Sequence, residues 1–189
     1  MLLTAVRVLL ALALYVSGAI VLGLALFPAV LLCHSVWQHT TGQVVWQQTL
    51  WVCLAAGMGY FVLGFALMFI AALLRWVCRL DLKEGEYLLA SLGMLRWYIS
   101  NALQLIVWSV FGDFLLMTPF AALFYRLMGA KLGRNVQINS KFCADISLLE
   151  IGDGAMIAAG AVVPKNTRIA PKAVYLGPQA DSGSKANWV

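Results

Sequence analysis

Apolar residues dominate the first half of the chain in long unbroken runs. No Asp, Glu, Lys or Arg occurs between Arg7 and Arg75, and two apolar runs fill that stretch, roughly residues 8 to 32 and 49 to 74. Each exceeds the ~20 residues a helix needs to cross a bilayer, so the pattern predicts two transmembrane helices. The segment between them, "HSVWQHTTGQVVWQQ", reads as a polar loop. The first run is too long for the core of a signal peptide, and "VLLC" before His34 lacks the small residues of a lipoprotein cleavage site. It is expected to stay as an anchor.

The stretch from Trp97 to Tyr125 is also apolar, but Asp113 lies inside it and Pro119 follows. Divided at Gly112–Asp113, each half is shorter than a spanning helix needs. Asn101, Gln104 and Trp108 form a polar stripe at helical spacing. These features favour a pair of interfacial or re-entrant helices. Asp113 has two readings. A carboxylate within an apolar segment marks a functional-site candidate, whereas "GDF" is also a good helix stop followed by an N-cap.

Beyond residue 131 the period changes to six. Aliphatic residues fall at Leu132, Ile138, Ile151, Ile157, Val163 and Ile169. Small or apolar residues follow four places later at Val136, Phe142, Ala155, Ala161, Thr167 and Ala173. This is a hexapeptide β-helix period. Each turn is a triangle of three short strands, the aliphatic residue points inward, and the residue four later must be small enough to share the core. One extra residue lies between Ile138 and Ile151, within the irregular "ADISLLE". The repeat makes little more than two turns, so it needs cover at its ends. Membrane-proximal helices can cap one end and self-association the flanks, which points to a homo-oligomer. The tail 177–189 has no repeat and is expected to be disordered.

Composition and charge refine this picture. Of 189 residues, 62% are hydrophobic and 11% charged, against about 25% charged in an ordinary soluble domain. The net charge of +5 fits membrane topology and anionic headgroups, and no nucleic-acid-binding module is present. Arg7 precedes the first helix, no Lys or Arg lies in the first loop, and Arg75, Arg79, Lys83 and Arg96 follow the second. That asymmetry puts the N-terminus and residues 75–96 in the cytoplasm and the loop with His34 and His39 outside. Cys33, Cys53, Cys78 and Cys143 stand singly, in neither a disulfide nor a zinc spacing, and no metal is expected.

The repeat resembles the hexapeptide-repeat acyltransferases of bacteria, which are left-handed β-helices, usually trimers with acyl-CoA sites between subunits. "SLGMLRWYISNAL", "TPFAALFYRLMGAKLGRNVQINS" and "ADISLLEIGDGA" more specifically resemble the C-terminal membrane region of epsilon-poly-L-lysine synthetase-type proteins. Those are nonribosomal peptide synthetase-like proteins in which membrane helices alternate with short hexapeptide domains. The resemblance covers roughly residues 88 to 165. It departs at Met117, where the family often has Gly, and at Ser147, where it often has an acid; no adenylation or carrier domain is present.

The expected architecture is a membrane α-helical N-terminal part, with two transmembrane helices plus interfacial or re-entrant helices, and a short C-terminal left-handed parallel β-helix. Its parts are a hairpin at 1–76, a cytoplasmic or interfacial helical segment at 77–130, the hexapeptide β-helix at 131–176, and the tail. What the resemblance implies is acyl or aminoacyl transfer from a phosphopantetheine thioester, on CoA or a carrier protein, at the cytoplasmic face of a bacterial inner membrane. A trimer is favoured, with membrane lipids and a carrier protein or synthetase subunit as further partners.

Such transfer needs a base near the acceptor and donors for the oxyanion. The repeat carries no His, and His34 and His39 are expected across the membrane. The remaining candidate base is a carboxylate: Asp145, in the one break of the repeat, with Asp113 at the membrane surface. Asp153 reads as a solvated corner residue and Glu150 as facing solvent. Lys165, Arg168 and Lys172, at spacings of three and four, are expected on neighbouring coils, where they would meet donor phosphates or form a basic face near anionic lipid. A non-catalytic module, a trimer that holds membrane helices together or recruits a synthetase, competes with the transferase.

Overall fold

The computed structural model describes residues 2–80, 92–141, 143, 145–158, 161, 163 and 168–176, the side chains of residues 2–11 and 92 excepted. They fall into two compact units that divide between Phe111 and Gly112.

The first unit holds α1 (Leu2–His39), α2 (Val45–Val77) and α3 (Leu92–Val110). Both long helices run into the segment expected to be a loop, which shrinks to residues 40–44. Polarity there marks where a helix leaves the apolar zone, and the helix itself continues. Thr40 and Thr41 then close it: their hydroxyls donate to the carbonyls of Val36 (2.8 Å) and Trp37 (3.0 Å), and the Thr40 amide also donates to Val36, within the last turn, where a helix runs out of its own donors. Gly42, with φ of +97°, turns the chain back.

Small residues let the two helices approach. Val21, Ala25 and Ala29 recur every fourth position on the buried face of α1, opposite Ala55, Gly59 and Ala71 of α2. A Cβ at Gly59 would already lie 3.5 Å from that of Ala29. This is how apolar helices associate when hydrocarbon surrounds them. Their outer faces are apolar too, with Leu12, Phe27, Phe61, Phe69 and Leu73 exposed. Among the described residues, α1 and α2 are the helices long and apolar enough to cross a membrane.

Phe111, just past α3, sits in a notch above Gly64, where any side chain would overlap its ring. Tyr60, Phe61 and Phe65 surround it edge-on, at centroid distances of 5.8, 5.9 and 5.4 Å. The Tyr60 hydroxyl donates to the Val110 carbonyl, one of the open acceptors at the end of α3.

The second unit begins where the sequence predicted a break. α4 (Gly112–Leu115) and α5 (Pro119–Leu127) are short, and Pro119 opens α5 where a missing N–H costs nothing. Six two-residue strands follow: β1 (Lys131–Leu132), β2 (Gln137–Ile138), β3 (Glu150–Ile151), β4 (Met156–Ile157), β5 (Arg168–Ile169) and β6 (Val174–Tyr175). They form two parallel sheets, ordered β1-β3-β5 and β2-β4-β6.

The pairing distances match the six-residue repeat. Lys131 pairs with Glu150 and Gln137 with Met156, nineteen positions on. Glu150 then pairs with Arg168 and Met156 with Val174, eighteen positions on. Eighteen is three hexapeptides, and the additional position belongs to the extra residue seen in the sequence. A third line of pairing is the isolated bridge between Cys143 and Val163. That bridge spans twenty positions, so two surplus residues fall after Cys143, where a 3₁₀ turn (Ile146–Leu148) lies, and one is missing between Ile138 and Cys143.

The aliphatic positions read as inward are buried at Ile138, Ile151, Ile157, Val163 and Ile169, as are Val136, Ala155 and Ala161 four places after their partners. Phe142, Thr167 and the tail 177–189 lie outside the described residues. α5 covers one end of the stack and touches β1 and β2. Phe124 and Tyr125 are fully buried in that contact. The Tyr125 hydroxyl donates to the Ser140 carbonyl (3.2 Å), and Ser140 Oγ donates to the Ala161 carbonyl (2.6 Å) one turn further.

Candidate functional site

Parallel register stacks equivalent residues, so side chains just before the inward aliphatics form a column. That column reads Lys131, Glu150, Arg168. Glu150 accepts from Lys131 Nζ at 2.7 Å on one oxygen and from Arg168 Nε at 3.0 Å on the other. The Lys131 hydrogen bond first, then the Arg168 charge, hold the Glu150 carboxyl below its ordinary value of 4.5. Arg168, expected to be available to a phosphate, is thus committed to its neighbour on β3. Because the folded carboxyl titrates lower than the unfolded one, the ladder contributes fully above pH 4.5 and fades as the pH falls below it. Glu150→Gln should therefore flatten the acid side of the whole chain's melting profile and leave Lys131 and Arg168 in unrelieved proximity. The check is thermal unfolding against pH at low and high salt, since salt should shrink the difference between the variants.

A second column runs along the corner before β2, β4 and β6. Asn135, Gly154 and Lys172 all adopt the left-handed region, with φ of 54°, 68° and 58°. Asp153 joins the corners: its Oδ1 accepts from the Arg134 amide (2.6 Å), and its carbonyl accepts from the Lys172 amide (2.7 Å). Asp153 is therefore a corner residue, as read, with a structural hydrogen bond. Lys172 and Arg168 do not occupy neighbouring coils. Both belong to the last one, Arg168 in β5 and Lys172 at the corner between β5 and β6. Lys165 lies outside the described residues.

The third side, where the repeat breaks, gathers the remaining chemistry. Asp145 precedes the 3₁₀ turn in the left-handed region (φ 45°, ψ 60°), and its carbonyl accepts from the Leu148 amide. Asp113 lies in the first turn of α4, beyond the cap position, and pairs with Lys141 Nζ at 2.6 Å. The carboxylate is largely exposed. Asp113 and Asp145 share no hydrogen bond. Asn139 Oδ1 and Ser147 Oγ are buried atoms without a hydrogen-bond partner, an arrangement that leaves two polar atoms ready for a ligand or water.

Cys143 and Tyr125 meet inside this side of the stack. Burial is the main reason the Cys143 thiol is pushed up to about 11, while its hydrogen bond with Tyr125 acts in the opposite direction. Burial likewise raises Tyr125, and the adjacent thiol adds to it. Burial holds both in the protonated form, which is the state of a packed thiol.

His34 and His39 belong to the last turns of α1, and His34 Nε2 lies 2.9 Å from Gln38 Nε2. No group of three His, Cys, Asp or Glu side chains is placed to hold a metal ion among the described residues. The sequence reading missed the Lys131–Glu150–Arg168 ladder and the Asp113–Lys141 pair. The first had a signal, because each member immediately precedes an inward aliphatic residue and the charges alternate in sign. The second had none, since Asp113 and Lys141 are joined only by the tertiary fold. Compared with protein-family models, curated proteins and solved structures, the chain matches none of them.

Proposed function

We propose that the chain is a membrane-bound acyl or aminoacyl transferase, taking its donor as a phosphopantetheine thioester on CoA or a carrier protein at the cytoplasmic membrane face. The observation that supports this reading is the pairing period. Parallel two-residue strands eighteen residues apart fit a left-handed β-helix of hexapeptides, and the sequence resembles transferases built on that plan. A homotrimer would shield the flanks of so short a stack.

In this reading an acceptor amine or hydroxyl attacks the thioester carbonyl, the carbon–sulfur bond breaks, and the thiol leaves with a proton. Asp145 is the candidate base; Ser147 Oγ, two residues on in the same irregular turn, and Asn139 Oδ1, just past β2, are the buried polar atoms without a partner that a ligand would use. Asp113 takes part as the partner that orients Lys141. Of the three cations, Arg168 is paired with Glu150, Lys165 lies outside the described residues, and Lys172 is the exposed one available to donor phosphates.

The ladder favours a second reading, a non-catalytic oligomerising scaffold or synthetase subunit, because its charges are spent on one another. Calorimetric titration of coenzyme A into the detergent-solubilised protein separates the two, repeated with Lys165→Ala and Lys172→Ala combined. Saturable binding weakened about tenfold, or roughly 1.4 kcal/mol, by the double substitution supports the donor site. No binding at millimolar ligand removes free CoA and leaves a carrier-delivered donor or the scaffold.

A further inference from the structure

α1 and α3 run side by side without closing on each other along their outer seam. Gly18 and Ala19 on α1 and Ala102 on α3 leave room there. Tyr15 and Leu105 stand on either bank, 77% and 67% exposed. The floor is tight, since a Cβ at Gly18 would lie 3.4 Å from Ile106 Cδ1. The result is a slot of about 460 Å³ running from Leu14 to Leu22, with no charged side chain in its lining. That volume is in the range of small-ligand sites, roughly 300–1,000 Å³. Over the ~12 Å from Leu14 to Leu22 it averages about 40 Å² in section, half the ~80 Å² of a helix about 10 Å across. A second helix is too thick to enter, and a single hydrocarbon chain is not.

Exposed aromatic residues point to what covers the slot. Gly59 faces Ala29 across the hairpin. Counting outward from that contact brings Trp37 level with Trp51, and Tyr15 within one turn of Trp76. All four are exposed. They lie 22 residues apart on α1 and 25 on α2, or about 33 and 38 Å of helix. Tryptophan and tyrosine gather at both faces of a bilayer, whose hydrocarbon core is about 30 Å thick. We propose that these four residues sit at the two faces of a bilayer, and that the slot, running inward from Tyr15, seats one acyl chain of a bilayer lipid between α1 and α3. This rests on the membrane reading of α1 and α2. It goes beyond the transferase reading and stands whether or not the protein moves acyl groups.

The test is native mass spectrometry of the full chain, released into detergent from nanodiscs of palmitoyl-oleoyl phosphatidylcholine and washed. The protein should retain one phosphatidylcholine. Ala19→Phe and Ala102→Phe fill the slot from opposite banks, and each should lower retention roughly tenfold, the effect of excluding about two methylenes. Ile20→Phe adds the same ring on exposed α1 surface outside the slot and should leave retention unchanged. Equal retention in all four proteins, or an equal loss with Ile20→Phe, would overturn the slot. A retained second copy that the two slot substitutions release would overturn it in favour of a helix partner. Extraction from vesicles by alkaline carbonate separately checks the membrane reading: a protein washed off by it sinks both, whereas one that stays isolates the result to the slot.

Discussion

Tyr125→Ala should destabilise the second unit by about 3–5 kcal/mol, the range for emptying a buried aromatic site. Tyr125 is fully buried where α5 covers the strand stack, and its hydroxyl reaches the Ser140 carbonyl. Without it the end of a stack little more than two turns long loses its cover. Tyr125→Phe separates packing from hydrogen bonding: the ring stays, one donor is lost, and the cost should be about 1 kcal/mol. Hydrogen exchange in the full chain reads this out, because the amides of Lys131, Gln137 and Asn139 donate across the stack beneath α5. Faster exchange there in the alanine variant, with α1 and α2 unchanged, is the expected result. Equal exchange in all three proteins would mean that α5 is no cap.

The second large effect belongs to a corner. A Cβ at Gly152 would lie 2.6 Å from the nitrogen and 2.8 Å from the Cα of Pro171, and backbone in the next turn cannot rotate away. Gly152→Val should cost about 1–3 kcal/mol as overpacking and expose the β3 and β5 amides together. Gly154, two residues on, supplies the contrast. Its Cβ would meet nothing closer than the Lys172 Cγ at 3.6 Å, so Gly154→Ala costs only its φ of +68°. That is roughly 1–2 kcal/mol and should not separate the turns. Exchange at the Gly152 amide, which donates to the Ile169 carbonyl, distinguishes them. Equal exposure there in both variants would refute the clash.

Much of the second unit was legible because its geometry is periodic. Ile138, Ile151, Ile157 and Ile169 could be placed inward from spacing alone, and the extra residue before Ile151 became the difference between pairing distances. The ladder was equally available, one position upstream, since parallel register makes sequence period and spatial neighbourhood the same thing. Arg168 and Lys172 were expected to meet across the pairing direction, but residues meet that way only at eighteen to twenty positions apart, and these two are four apart along the chain. The helix ends around His34 and Thr40 were read as loop because polarity reports the medium and carries less information about backbone conformation. Tyr125 with Cys143, Phe111 with Gly64 and Asp113 with Lys141 had no local signature. Each pair is joined only by how separate elements pack.

The 3₁₀ turn has one more consequence. Parallel pairing on a fixed count behaves like a ratchet: adding or removing one residue between paired strands reverses which side chains face the core from there on. Between Ile138 and Ile151 the chain already departs from the count without upsetting the pairing beyond it. A change in length is therefore expected to be tolerated best at that spot. An inserted epitope or an altered loop can be accommodated beside Asp145, whereas the same residues between Ile151 and Ile157 would scramble everything downstream.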